Sequence, residues 1–121
     1  MLVLTALFCS ALLLIDEPPP DKPKGTMLVG EHKKGDQVLF MMDIRKKATE
    51  GVILTQYVHY PPPNVFRNQT INLIAVLSNS KNFKGGYPTI ISGGVGFTHV
   101  SIRLQSEKSG PIDYLVGVYG Q

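Results

Sequence analysis

The fold is decided near the end of the chain, where Thr98-His99-Val100-Ser101-Ile102-Arg103-Leu104 is followed by Ile112-Asp113-Tyr114-Leu115-Val116-Gly117-Val118-Tyr119. In the first stretch Thr98, Val100, Ile102 and Leu104 alternate with His99, Ser101 and Arg103. A period of two sends successive side chains to opposite faces of a strand, so this segment reads as a strand with one face in a core. In the second stretch Ile112, Tyr114, Val116 and Val118 alternate with Asp113, Leu115, Gly117 and Tyr119. Ser106 to Pro111 reads as the turn between them, so the chain is expected to end in a hairpin.

Upstream the same signals recur. Tyr87 to Ile91 is a short strand between Gly85-Gly86 and Ser92-Gly93-Gly94. Ile71 to Leu77 is almost continuously apolar and bounded by Ser78-Asn79-Ser80, which suits a buried strand better than a helix of such length. Val52 to Tyr60 is rich in β-branched and aromatic residues, and Pro61-Pro62-Pro63 stops it because proline cannot donate to a sheet ladder. Val38 to Ile44 is a further apolar run. With about six strands and no long amphipathic helix, the pattern predicts an all-β fold: a single small antiparallel β-sandwich or flattened barrel.

Composition agrees with one folded domain. The 121 residues are 43% hydrophobic and 17% charged, with a net charge of +3. The densest basic run, Arg45-Lys46-Lys47, is flanked by Asp43 and Glu50 and reads as a solvated turn, so no direct nucleic-acid contact is expected. The single cysteine, Cys9, lies in the uncharged run Leu2 to Ile15. That run is shorter than the roughly 20 residues a membrane-spanning helix needs, and it matches a signal-peptide core. Residues 1–15 are therefore expected to be a signal peptide, 16–26 a proline-rich tether and 27–121 the all-β domain. The mature domain is expected to be extracellular, with no membrane contact after cleavage and no disulfide to hold it.

The chemistry-bearing residues do not form a recognisable catalytic pattern. His32, His59 and His99 are scattered, and none has a second His or Cys at metal-ligand spacing, so no metal and no cofactor is expected. No nucleophile–base set or glycosidase-like carboxylate pair stands out, and the chain reads as non-enzymatic. Gly93, Gly94 and Gly96 superficially resemble a phosphate loop. They lack a following Lys-Ser/Thr and lead into a strand rather than a helix, so they read as a structural turn needing positive φ. Asn68-Gln69-Thr70 is a glycosylation sequon in a connection that should run over the surface.

Several of these motifs together resemble a known family. Ser92-Gly93-Gly94-Val95-Gly96-Phe97, Val100-Ser101-Ile102-Arg103-Leu104-Gln105-Ser106 and Tyr114-Leu115-Val116-Gly117-Val118-Tyr119-Gly120 resemble the insect multiprotein bridging factor 2 family. Val29-Gly30, Gly35-Asp36 and Asn68-Gln69-Thr70-Ile71 follow its order and spacing, so the likeness runs from Met27 to Gly120. Glu107-Lys108-Ser109-Gly110-Pro111 departs from the Gly/Arg-rich turn of that family, and no partner contact is carried over to it. The resemblance implies one of two roles: a transcriptional co-activator bridging a nuclear receptor to the general machinery, or a secreted insect protein of saliva, gut or haemolymph. The apolar N-terminal run favours a secreted binding or effector protein. The nuclear co-activator, working through protein–protein contacts, is the alternative. Its partner, a protein or a small ligand, is not named by the sequence, and exposed strand edges allow homo-oligomers by strand pairing.

Overall fold

The computed structural model of the protein describes residues 25–79 and 87–121. The expected signal peptide, nearly all of the proline-rich tether and the Gly85-Gly86 pair lie outside them. Seven strands form the domain: β1 Met27–Gly30, β2 Gln37–Lys46, β3 Thr55–Tyr60, β4 Ile71–Ser78, β5 Tyr87–Gly93, β6 Val100–Gln105 and β7 Ile112–Gly120. They lie in two antiparallel sheets, a four-stranded one ordered β1-β4-β7-β2 and a three-stranded one ordered β3-β6-β5. The architecture is an all-β sandwich that does not close into a barrel. β1 adds a strand to the expected six; at four residues it is too short to show an alternation of its own.

The core is the set of side chains caught between the sheets. Ile74 and Val76 of β4 and Ile112, Tyr114, Val116 and Val118 of β7 meet Val58 and Tyr60 of β3 and Val100, Ile102 and Leu104 of β6. Burying an aliphatic side chain of this size is worth about 1.5–3 kcal/mol relative to exposure, and β-branched residues fit the pleat. Tyr114 is enclosed with them, and burial pushes its hydroxyl pKa up to about 12, with the nearby Glu107 charge adding to the shift.

The expected terminal hairpin does not exist. β6 pairs with β3 and β5, whereas β7 pairs with β2 and β4. The connection from Ser106 to Pro111 crosses from one sheet to the other. Instead of closing a β-turn between paired strands, it runs beside residues 51–54: the Ser106 amide donates to the Leu54 carbonyl (2.9 Å), and the Leu54 amide donates to Ser106 Oγ (2.8 Å). Ser109 N donates to Val52 O at 2.9 Å, and Gly51 N donates to Ser109 Oγ at 2.7 Å. This explains a second difference: Val52 to Leu54 leave the predicted strand and hold the crossover. Alternation reports which face is buried, and both strands face the same core, so periodicity cannot distinguish a hairpin from a crossover. The basic run also differs from the predicted turn, since Arg45 and Lys46 end β2, with Arg45 Nε 3.6 Å from Asp113 Oδ1.

Candidate interaction surface

Cross-strand register fixes which side chains leave the sandwich. On the outer side of the four-stranded sheet, Leu28, Ala75, Gly117 and Met41 form one row across β1, β4, β7 and β2. Gly30, Leu73, Tyr119 and Val38 form the next, and Leu77, Leu115 and Asp43 a third. A solvated sheet face is ordinarily polar, because alternation puts apolar residues inside and polar ones outside. Here two full rows are apolar apart from the Tyr119 hydroxyl, and charge begins only at the Asp43 and Arg45–Asp113 end. Val38 is 58% exposed, Leu28 48% and Met41 46%. Tyr119 and Met41 reach over the bare backbone of Gly117, where an added Cβ would lie 3.1 Å from the tyrosine ring and 3.3 Å from the methionine methyl. The outer face is thus a continuous apolar surface rather than scattered single residues, the pattern that marks interaction sites.

The sequence carried a signal for this face. Leu73, Ala75 and Leu77 make β4 apolar on both sides, which is why Ile71 to Leu77 reads as a buried strand. Leu115, Gly117 and Tyr119 sat in the outward register of β7, yet none is charged. Both sides of these two strands are apolar because one meets the core and the other the open face.

One end of the sandwich is closed by loops that the motifs build. Gly93, Gly94 and Gly96 have φ of +69°, +122° and +90°. The loop they form spans the two sheets: Gly94 N donates to His99 O (2.9 Å), while Gly96 N donates to Ile71 O and Ile71 N to Phe97 O (2.9 and 2.8 Å). His99 packs edge-on against Phe97, with ring centroids 5.6 Å apart. The terminal glycine has its own reason, since a Cβ on Gly120 would coincide with the carbonyl oxygen of Thr70. Thr70 N donates to Gln121 O, and Gln121 N donates back to Thr70 O (2.9 and 3.2 Å).

Asp36 ties this end together. Its carboxylate accepts from Lys33 N at 2.7 Å, from Asn72 Nδ2 at 2.7 Å and from Gln121 Nε2 at 3.1 Å. Partial withdrawal from water raises its pKa, but the three donors and the nearby His32 outweigh that and hold the carboxyl below its ordinary value. A carboxylate with a depressed folded pKa contributes stability that is fully present above its unfolded pKa of about 3.9, and that is lost as pH falls through the folded value. Asp36→Asn is therefore expected to lower the urea midpoint at pH 6, with the gap from wild type closing below about pH 3.9. A gap that persists unchanged at pH 2.5 would assign the loss to packing rather than to the charge.

Asn68 lies exposed in the connection from β3 to β4. Beside it Phe66 is 94% exposed. Phe66, Arg67, Asn68, Gln69 and Gln121 line an open groove of about 390 Å³. The histidines occupy separate places: His32 in the exposed loop after β1, His59 on the outer side of β3 and His99 in the glycine loop. Among the described residues, no three His, Cys, Asp or Glu side chains are grouped as a metal ion would require.

Comparison with known proteins adds relatives to this geometry. A protein of Bombus ignitus named "Probable salivary secreted peptide" is 27% identical over 95 residues, covering 78% of this chain and 69% of that protein. No solved structure matches. The family described as "Transcription activator MBF2" matches residues 29–120, a span that takes in all but the first two residues of the seven strands, the glycine loop and the Gly120 contact. The chain belongs to the MBF2 family.

Proposed function

We propose that the protein is a secreted, non-enzymatic binding protein that engages a protein partner through the outer face of its four-stranded sheet. The observation that carries this reading is the pair of apolar rows, Leu28-Ala75-Gly117-Met41 and Gly30-Leu73-Tyr119-Val38, on a face that solvent would ordinarily keep polar. The secreted relative and the uncharged run from Leu2 to Ile15 support the extracellular part of the proposal. The family description favours a second reading, a nuclear co-activator using the same face for protein–protein contacts.

Location separates the two. The intact precursor expressed in insect cells is expected in the medium, cleaved between Ala11 and Asp16 and carrying a glycan on Asn68. Glycosidase should then shift wild type down to the mobility of Asn68→Gln. Retention in the nucleus, with equal mobility of the two proteins, would favour the co-activator. Within the secreted pool, the double variant Met41→Lys, Leu77→Lys is expected to keep its fold but elute at monomer mass, free of any partner. Unchanged elution in a partner-bound fraction would remove this face from the binding role.

A further inference from the structure

The other outer face is built from different chemistry. On the three-stranded sheet the outward rows are Thr55-Gln105-Tyr87, Tyr57-Arg103-Thr89 and His59-Ser101-Ser92 across β3, β6 and β5. Arg103 sits at the centre of that grid, on the central strand. Among the described residues the grid contains no carboxylate. Arg45, on the opposite sheet, has Asp113 beside it, but Arg103 has no ion pair among the described residues. Its Nε is sealed from solvent and lacks a hydrogen-bond partner. That sealed nitrogen is out of a ligand's reach, but the two terminal nitrogens of a guanidinium can hold an oxyanion through two parallel bonds.

Around this cation lie ring faces and small polar groups. Tyr57, directly opposite Arg103, is 49% exposed, and Tyr87, diagonal to it, is 65% exposed. The rings of Tyr57 and His59 are parallel within 5°, with centroids 6.5 Å apart. His59 Nδ1 is 2.8 Å from Ser101 Oγ, which fixes the imidazole in that row. Thr89, Ser101 and Gln105 add hydroxyl and amide groups that both donate and accept.

We propose that this face binds an acidic saccharide, with Arg103 holding the carboxylate or sulfate and Tyr57 carrying the sugar ring. Charge complementarity selects the anion, since among the described residues the grid holds one uncompensated cation and no acidic group. Exposed aromatic rings suit the C–H face of a pyranose, because they offer large contact area at small conformational cost. The hydroxyl and amide rows match the mixed donors and acceptors of sugar hydroxyls. A single cation in a flat polar grid is a poor match for a membrane surface, where each nearby cation adds about 1 kcal/mol and several are needed. The inference concerns the face opposite the apolar one and stands independently of the proposed partner.

The test is titration of the secreted chain, followed by NMR, with three disaccharides: one bearing a uronate, one a sulfate and one neutral. Either acidic probe is expected to bind with a Kd of about 1 mM or tighter, about tenfold better than the neutral one, and to shift the amides of Tyr57 and Arg103. Binding of only one acidic probe would identify the oxyanion. Arg103→Gln should reduce acidic binding to the neutral level, while Arg45→Gln leaves it unchanged. Tyr57→Ala, at an exposed position, should weaken binding about tenfold even if Arg103→Gln fails to fold. Equal affinity for the neutral probe, inorganic sulfate binding as tightly as the sulfated sugar, or an unaffected Tyr57→Ala would overturn the proposal. So would the absence of binding at roughly 20 mM.

Discussion

Val116→Asp is expected to abolish soluble expression. Val116 lies on the inner side of β7, fully enclosed, with Met42 opposite it on β2 and Val76 on β4. A carboxylate there would lose its water without gaining a cation, at a cost of several kcal/mol even after its pKa rises to neutralise it. A domain of this size has only about 5–15 kcal/mol of stability in total. The neighbouring Leu115→Asp points to the outer face, where the carboxylate keeps its water, and should leave a soluble protein with a modestly lower melting temperature. Soluble yield and thermal melting of the pair read the result. A Val116→Asp protein that melts like wild type would mean that the inner face of β7 is misassigned.

The second large effect is expected at Gly93→Ala. Gly93 combines a φ of +69° with a crowded site, because its added Cβ would fall on the His99 carbonyl oxygen. The left-handed backbone alone costs a non-glycine residue about 1–2 kcal/mol. Relieving the overlap requires the β5–β6 pair to part where Gly93 faces Val100, so the total should reach about 3 kcal/mol or more. Gly96 shares a positive φ of +90°, but nothing lies within 4 Å of its added Cβ. Gly96→Ala should therefore cost only the conformational penalty of about 1 kcal/mol. Denaturant midpoints of the two variants provide the comparison, and equal losses would show that backbone conformation, not crowding, governs the loop.

Legibility from sequence followed the physics of each signal. Thr98 to Leu104 and Ile112 to Tyr119 revealed their buried faces, because alternation is a local consequence of pleating. Their sheet partners were not legible, because Ser106 to Pro111 can end in a hairpin or a crossover with the same composition. What decides between them is a set of bonds from Ser106 and Ser109 to Leu54, Val52 and Gly51, more than fifty positions earlier. The need for left-handed backbone at Gly93, Gly94 and Gly96 could be inferred from residue type. The crowding that singles out Gly93 depends on where His99 lies and could not. The apolar outer face was half visible in Leu73, Ala75 and Leu77, but recognising it required knowing that no second layer covers β4 among the described residues. The Arg103 grid was invisible, since Tyr57, Arg103 and Thr89 become neighbours only through pairing across three strands.

The strand order has a consequence for how the protein is made. β7 lies between β4 and β2 in the larger sheet, yet it is the last of the seven strands to leave the ribosome. Until it emerges, β2 has no neighbour to pair with, and β4 has only the four residues of β1. The larger sheet thus cannot assemble in stages as the chain lengthens; it must wait and then close around its final strand, with Gln37 finding Gly120. Such distant pairing is slow, because the loop entropy is lost before the contacts form. A nascent chain of this order stays open until its last strand is made. It also means that trimming the final strand would remove the seam that joins the sheet's two halves.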